Sequence, residues 1–353
     1  MLRRRGFAAL ILLTVLPLVH AQDGEAAPPG TAPLWREALG GIVTGIPSVQ
    51  AGSVVAVLDG GSLKAYTSRG TLLWDYFAGG KLTPHITRSR EGTTYICRTS
   101  GIFIVLNRAG RELWRMNLGA PLSAPVLIGW DGRIFIPCGD RLLCYTAAGY
   151  PLWGKILPAP MALAPAADKR GGLITVLENR ELLSIDPFGS IRSQTLPAVP
   201  AAITPLDSGE AQGSGDLTLI FYRTGAVDRL SRDPGGNIIL TSDLFPGLAP
   251  PLATAGRNGL AALIQNDGRV LLLSASDGRI LWTGESHLRS PEEDAAMIFN
   301  EQGIYVLSRG GVSAFTEDGR RRWTLKLEGS SAIPALGEEG MVFAGGEDWI
   351  LYA

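Results

Sequence analysis

The 353 residues carry 33 acidic and 32 basic side chains, and setting aside the three arginines of an N-terminal leader leaves 29 basic against 33 acidic, a net charge of −4. That balance lacks the basic surplus on which nucleic-acid binding rests. Three cysteines, an odd number, and three histidines supply neither a disulfide framework nor a zinc-type spacing, and no Gly-x-Ser-x-Gly or phosphate loop occurs.

The chain opens with MLRRRGFAALILLTVLPLVHA, residues 1–21, in which three arginines precede an apolar run from Phe7 to Val19. This is the pattern of a secretory signal, and the small residues Val19 and Ala21 set cleavage near Ala21, with Gln22 as the new N-terminus. Arg4-Arg5-Gly6-Phe7 shares part of a twin-arginine pattern, but Ala8 and Ala9 replace its usual ending, which favours ordinary unfolded export. The first cysteine is Cys97, so no lipid-bearing cysteine stands at the cut. The expected product is periplasmic or secreted, with no direct membrane anchor. A disordered lead-in is expected over 22–33 and one domain over 34–353.

From Trp35 onwards the chain repeats itself. Trp35, Trp74, Trp114 and Trp153 are 39, 40 and 39 residues apart, and Trp282 and Trp323 are 41 apart. Most follow a glycine by four residues, as in RGTLLWD, AGRELWR, DGRILWT and DGRRRWT. Gly189 and Gly236 mark two further slots, where Ser193 and Leu240 replace tryptophan, and the Gly/Ser-rich LDSGEAQGSGDL at Leu206 to Leu217 reads as a loop insertion. Each interval holds three more short runs of Val, Ile, Leu and aromatics separated by turns, clearest in SAPVLIGW, RIFIPC, RLLCYT and YPLWGKIL, with Ser123 opening the first. Four antiparallel strands every 40 residues or so describe a β-propeller blade.

The two ends complete one another. PLWREAL around Trp35 is a fourth strand with no first three before it, and SAIPALGEEGMVFAGGEDWILYA supplies three strands with no fourth after them. The expected fold is therefore all-β, an eight-bladed β-propeller closed by an N-terminal strand joining three C-terminal strands. Within it, the glycine suits a turn with positive φ, and the indole can wedge between blades while its N–H finds a backbone carbonyl. Trp35, Trp74, Trp114, Trp153, Trp282 and Trp323 are thus expected to dock blade to blade.

The slot Gly-x-x-x-Trp, preceded by YTAA, AFTED or LSASD, resembles the PQQ-like (quinoprotein-type) propeller repeat, whose fuller motif is Ala-x-Asp-x-x-Thr-Gly-x-x-x-Trp. Here the motif's Asp position holds Tyr66, Leu106, Tyr145, Ile185, Ser274 and Phe315, a degenerate form. The likeness covers essentially the whole domain. The resemblance implies either a protein-binding scaffold, as in the propeller subunit of the outer-membrane β-barrel assembly machinery, or a small quinone (PQQ)-dependent dehydrogenase or ligand sensor. Such enzymes use long pocket-building insertions and in many cases a vicinal cysteine pair, and this chain has no Cys-Cys pair, so no cofactor is expected and an envelope protein is the expected partner.

Candidate site residues are few. Cys138 and Cys144 sit on two strands of the hairpin CGDRLLC, where Cys138 pairs near Arg141, so all three cysteines are expected to be free and buried. His85 and His287 fall about five blades apart, too far to share a metal. Glu292, Glu293 and Asp294 read as a solvated loop rather than a cation site. On the face bearing the turns between second and third strands and the blade-entry loops, Arg98, Asp140, Arg180, Arg223, Arg289 and Arg309 are expected to form a partner-binding surface, since Arg is favoured at interfaces.

Overall fold

A computed structural model describes residues 32–168, 171–206, 217–233, 237–242, 248–288, 295–337 and 340–353. The leader at 1–21, most of the lead-in, the inserted loop 207–216, Gly236, Arg289 and the acidic run Glu292 to Asp294 lie outside the described residues.

Eight four-stranded antiparallel sheets follow one another as blades: 48–77, 87–117, 127–156, 166–195, 200–241, 251–285, 295–326, and an eighth from 335–352. The eighth takes its outer strand, Arg36–Ala38, from the other end of the chain: Arg36 pairs with Tyr352, and Leu34 N–H donates to Ala353 O at 2.6 Å. Stitching the last blade from both ends closes the ring and leaves no open sheet edge between blades.

The burial is distributed rather than central. The second strands are almost wholly buried, as in Ser53–Val57 and Ile134–Cys138, because both faces of each blade are covered. Among the described residues the buried side chains fall into eight clusters, one at each blade junction. Tyr95 and Phe103 of the second blade pack with Ile134 and Cys138 of the third, and Leu351 and Phe343 of the eighth pack with Val54 and Tyr66 of the first. Stability in such a ring is a sum of neighbour interfaces.

The innermost strands are shorter than the sequence suggests in five blades. The run expected to begin at Ser123 pairs at Leu122 with Cys138, then not again until Leu127–Ile128. Pro125 lies between and has no N–H to offer the ladder. Blades five to seven instead carry long inner strands, Pro200–Leu206, Pro251–Arg257 and Ala295–Asn300. The first two approach closely enough that a Cβ on Gly256 would meet Pro205 O at 2.6 Å, and Thr204 and Thr254 bond hydroxyl to hydroxyl at 2.6 Å.

The strand order gives the ring two chemically distinct faces. The turns between second and third strands and the blade-to-blade crossings lie on one, called here the upper face. The turns between first and second and between third and fourth strands lie on the other, the lower face.

Candidate functional site

The repeated tryptophans are consumed by architecture. Each of five indole N–H groups donates to a backbone carbonyl of the next blade, always two residues before its turn glycine: Trp35 to Ser68, Trp74 to Arg108, Trp114 to Ala147, Trp153 to Pro187 and Trp282 to Glu317, at 2.7 to 3.2 Å. The glycine itself lies on the indole. A Cβ on Gly70, Gly110, Gly149, Gly189 or Gly319 would stand 2.5 to 3.0 Å from the ring of the preceding blade's tryptophan. Trp323, the sixth, packs on Tyr305 of its own blade.

The strand pairing records the same device. In the five blades where a tryptophan sits within the fourth strand, the register slips by one residue just before it, as between Ala65 opposite Trp74 and Tyr66 opposite Leu72. In the two blades where Ser193 and Leu240 hold the slot, the register runs on unbroken. The bulge moves the slot residue to the other face of its strand. Where Leu240 replaces tryptophan, Arg229 Nη1 donates instead to Ser276 O, two residues before Gly278, at 3.2 Å. Arg192, beside Ser193, reaches Asn237 in the next blade's turn at 3.5 Å.

On the upper face, Arg98, Asp140, Arg180, Arg223 and Arg309 all occupy turns between second and third strands, so the topology does bring them to one rim. They are not equivalent. Arg98 is half-buried, lies against Gly79, and its Nε is enclosed without a partner. Arg180 donates to Pro197 O at 3.3 Å. Asp140, Arg223 and Arg309 are exposed. The same turns also hold Asp59, Glu178, Asp267, Glu347 and Asp348, so the rim is mixed in sign rather than basic.

A sharper feature of this face was not legible in composition. In six blades the last residue of the turn into the third strand, one or two positions before it, sends its N–H to the carbonyl three residues back: Gly61, Gly101, Arg180, Gly225, Gly268 and Trp349. Each has positive φ, from 72° at Arg180 and 64° at Trp349 to 86° at Gly225. Four blades fill this left-handed position with glycine, which has no Cβ to clash. Two instead hold a large side chain there. In the crossings, likewise, Gly40, Gly79 and Gly119 have φ of 74 to 77°, and the matching residue before the seventh blade is His287, at 54°. Arg180, His287 and Trp349 are all exposed, so the cost of about 1 kcal/mol or more for each left-handed non-glycine residue is not repaid by burial.

Trp349 has the best surroundings for an anchor. It is 54% exposed on the turn of the closing blade, and its carbonyl holds Leu39 N–H at 2.8 Å at the start of the crossing that also exposes Ile42 and Ile46. The signal is present in the sequence as GEDWI, where the first blade has LDGGS, but only superposition of the repeats exposes it.

The remaining candidates hold no assembled chemistry. His85 stands half-buried in the crossing into the second blade, where burial pushes its imidazole below the usual range, and His287 Nε2 is 3.9 Å from Glu285. Cys97 and Cys138 share one junction cluster and Cys144 occupies the next; all are free, and burial pushes the Cys97 and Cys144 thiols up to about 11. Among the described residues no group of three His, Cys, Asp or Glu side chains could hold a metal. These donors do not form the vicinal thiol pair associated with quinone enzymes, and no quinone chemistry is derived from them.

Residues 211–352, from the fifth blade to the eighth, match a PQQ-like family model described as outer membrane protein assembly factor BamB. BamB from Moraxella catarrhalis is 16% identical, with a TM-score of 0.61 over 91% of this chain and 98% of that one. Sqt1 from Saccharomyces cerevisiae is 13% identical with a TM-score of 0.68 over 90% of this chain and 96% of that one. The computationally designed propeller Ika8 gives 13%, 0.66, 89% and 97%. At these identities the structural likeness is one of fold, while the family match supports the resemblance carried by the Gly-x-x-x-Trp slots. No curated protein matches the chain in sequence.

Proposed function

We propose that this chain is an exported scaffold of the bacterial cell envelope that binds a partner protein on its upper face, with Trp349 as the anchor. The observation that carries the reading is the exposed indole at φ 64°, in a position that four sister blades give to glycine. Backbone strain held on a surface, without a packing return, is a mark of function. Tryptophan and arginine are the side chains most enriched at the energetic centres of interfaces, and Ile42 and Ile46 expose apolar area on the crossing that Trp349 O holds at Leu39. The match of residues 211–352 to a BamB family model supports the assignment to the envelope, as do the arginines and apolar run of residues 1–21.

The test is capture from envelope extracts by the chain beginning at Gln22, with Trp349→Gly as the variant and Arg279→Glu, exposed on the opposite face, as control. A specific protein recovered by the parent and the control but not by Trp349→Gly supports the reading. Equal recovery by all three overturns it. Recovery of the native protein from the periplasm with Gln22 as its first residue tests the export half separately.

A further inference from the structure

The lower face divides into sectors that differ in how their charges are compensated. Around the sixth and seventh blades, arginines meet carboxylates: Arg257 with Glu301 and Glu317, Arg279 with Asp277, and Arg320 with Asp318. Around the first and second blades they do not. Arg69, Arg90, Arg108 and Arg111 project from consecutive turns, are exposed, and among the described residues make no ion pair within 4 Å, while Glu91 is the sole carboxylate in those turns. Beneath them lies Arg88, only 6% exposed. It donates to Ser48 O, Gln50 O, Ser53 O and Ser53 Oγ at 2.9 to 3.3 Å, and its Nε has no partner. Burial and the neighbouring Arg108 push this guanidinium down to about 10. A buried cation ordinarily has a counter-charge; here the charge that acts on it is that of another cation, Arg108.

The adjoining sector is aromatic. Trp130 and Tyr150 of the third blade and Phe188 of the fourth are 74%, 70% and 80% exposed on lower-face turns. Trp130 and Pro187 both flank Gly171, and the Arg133 guanidinium stands 5.7 Å from the Phe188 ring centre. Finally, the chain enters its first strand on this face, since Leu34 bonds Ala353 and Trp35 lies on the first blade's Gly70 turn. Thirty-one residues, including the apolar run Phe7 to Val19, precede the described part from that point.

We propose that the lower face of blades one to four is a docking surface for an anionic lipid bilayer, with Arg69, Arg90, Arg108 and Arg111 meeting headgroup phosphates and Trp130, Tyr150 and Phe188 seated at the headgroup boundary. Tryptophan and tyrosine concentrate at that depth, and arginines beside them add electrostatic attraction. Lipid contact then supplements any tethering through a protein partner, which uses the opposite face.

Vesicle co-sedimentation decides the matter, using the chain from Gln22, which retains all eight sheets. The protein pellets with phosphatidylglycerol-containing vesicles and not with pure phosphatidylcholine, and the binding weakens with salt. Arg69→Glu/Arg90→Glu/Arg111→Glu, none of which donates a side-chain hydrogen bond, lowers the bound fraction about tenfold or more. Trp130→Ala/Phe188→Ala weakens it several-fold, and brominated acyl chains quench the parent's fluorescence more than that of Trp130→Phe. Arg223→Glu on the upper face leaves binding intact. A parent that ignores anionic vesicles overturns the proposal, as does a triple variant that pellets like the parent. Arginine-dependent retention on polyglutamate without vesicle binding would assign the face to an acidic protein instead.

Discussion

Gly110 lies on the indole of Trp74 so closely that a Cβ built on the glycine would stand 2.5 Å from the ring, while Trp74 Nε1 donates to Arg108 O two residues upstream at 2.9 Å. The glycine and tryptophan of one motif therefore serve different junctions. Gly70, Gly110, Gly149, Gly189 and Gly319 each receive the tryptophan of the blade before, so Gly-x-x-x-Trp is half of two contacts rather than one complete device.

This relationship predicts strong coupling between residues 36 positions apart. Gly110→Ala is expected to cost about 2–3 kcal/mol, from contact with the ring plus strain at φ 73°. Trp74→Ala, from a half-buried site, is expected to cost about 3 kcal/mol. In the Trp74→Ala background the added cost of Gly110→Ala falls to about 1 kcal/mol, the backbone part alone. Denaturant titration of the four proteins measures it, and strict additivity would show that the ring and the glycine do not meet.

Arg229 is expected to be the fifth blade's replacement for an indole. Arg229→Met, which keeps much of the stem and removes the donor to Ser276 O, should cost about 1–2 kcal/mol. Arg223→Met, exposed on the opposite face, should change the unfolding midpoint by less than about 0.5 kcal/mol equivalent.

Trp349→Gly separates function from stability. Releasing the left-handed position returns about 1 kcal/mol or more, against about 0.5–1 kcal/mol for the added chain entropy of glycine. The variant should therefore melt at or above the parent temperature by calorimetry. A clear drop would show that the indole packs for stability and would remove its claim to be held for binding.

Acid should weaken the fold through His85. Burial lowers its folded pKa below the unfolded 6.5, so between the two values the unfolded chain binds the extra proton. The contribution is whole above pH 6.5 and is lost as pH falls through the folded value. Replacing His85 with Gln should flatten the stability profile between neutral pH and pH 5, and an unchanged slope would assign the acid sensitivity elsewhere.

The ring was legible because its physics is periodic: tryptophans 39 to 41 residues apart, and a lone strand at Trp35 awaiting three at the other end, fix blade number and closure. The inner strands were less so, because a single Pro125 breaks a ladder that β-rich composition suggests. The candidate face was legible only in outline. Sequence counting put Arg98 and Arg180 on the right rim, yet it could not show that Arg98 lies against Gly79 while Arg180 stands at a glycine's φ. Trp349 was counted as part of the final strands. Its significance depends on aligning GEDWI with sister turns; Trp130 lies in a turn outside the repeat motif, and Phe188, directly before Gly189, stands where the motif has threonine.

The most direct measurement is photocrosslinking in the native cell, with a benzophenone side chain placed at 349 on the upper face or at 150 on the lower. A discrete protein adduct from position 349, and none of that mass from position 150, is the predicted result. The same adduct from both positions, or from 150 alone, would contradict the assignment of the upper face to a protein partner.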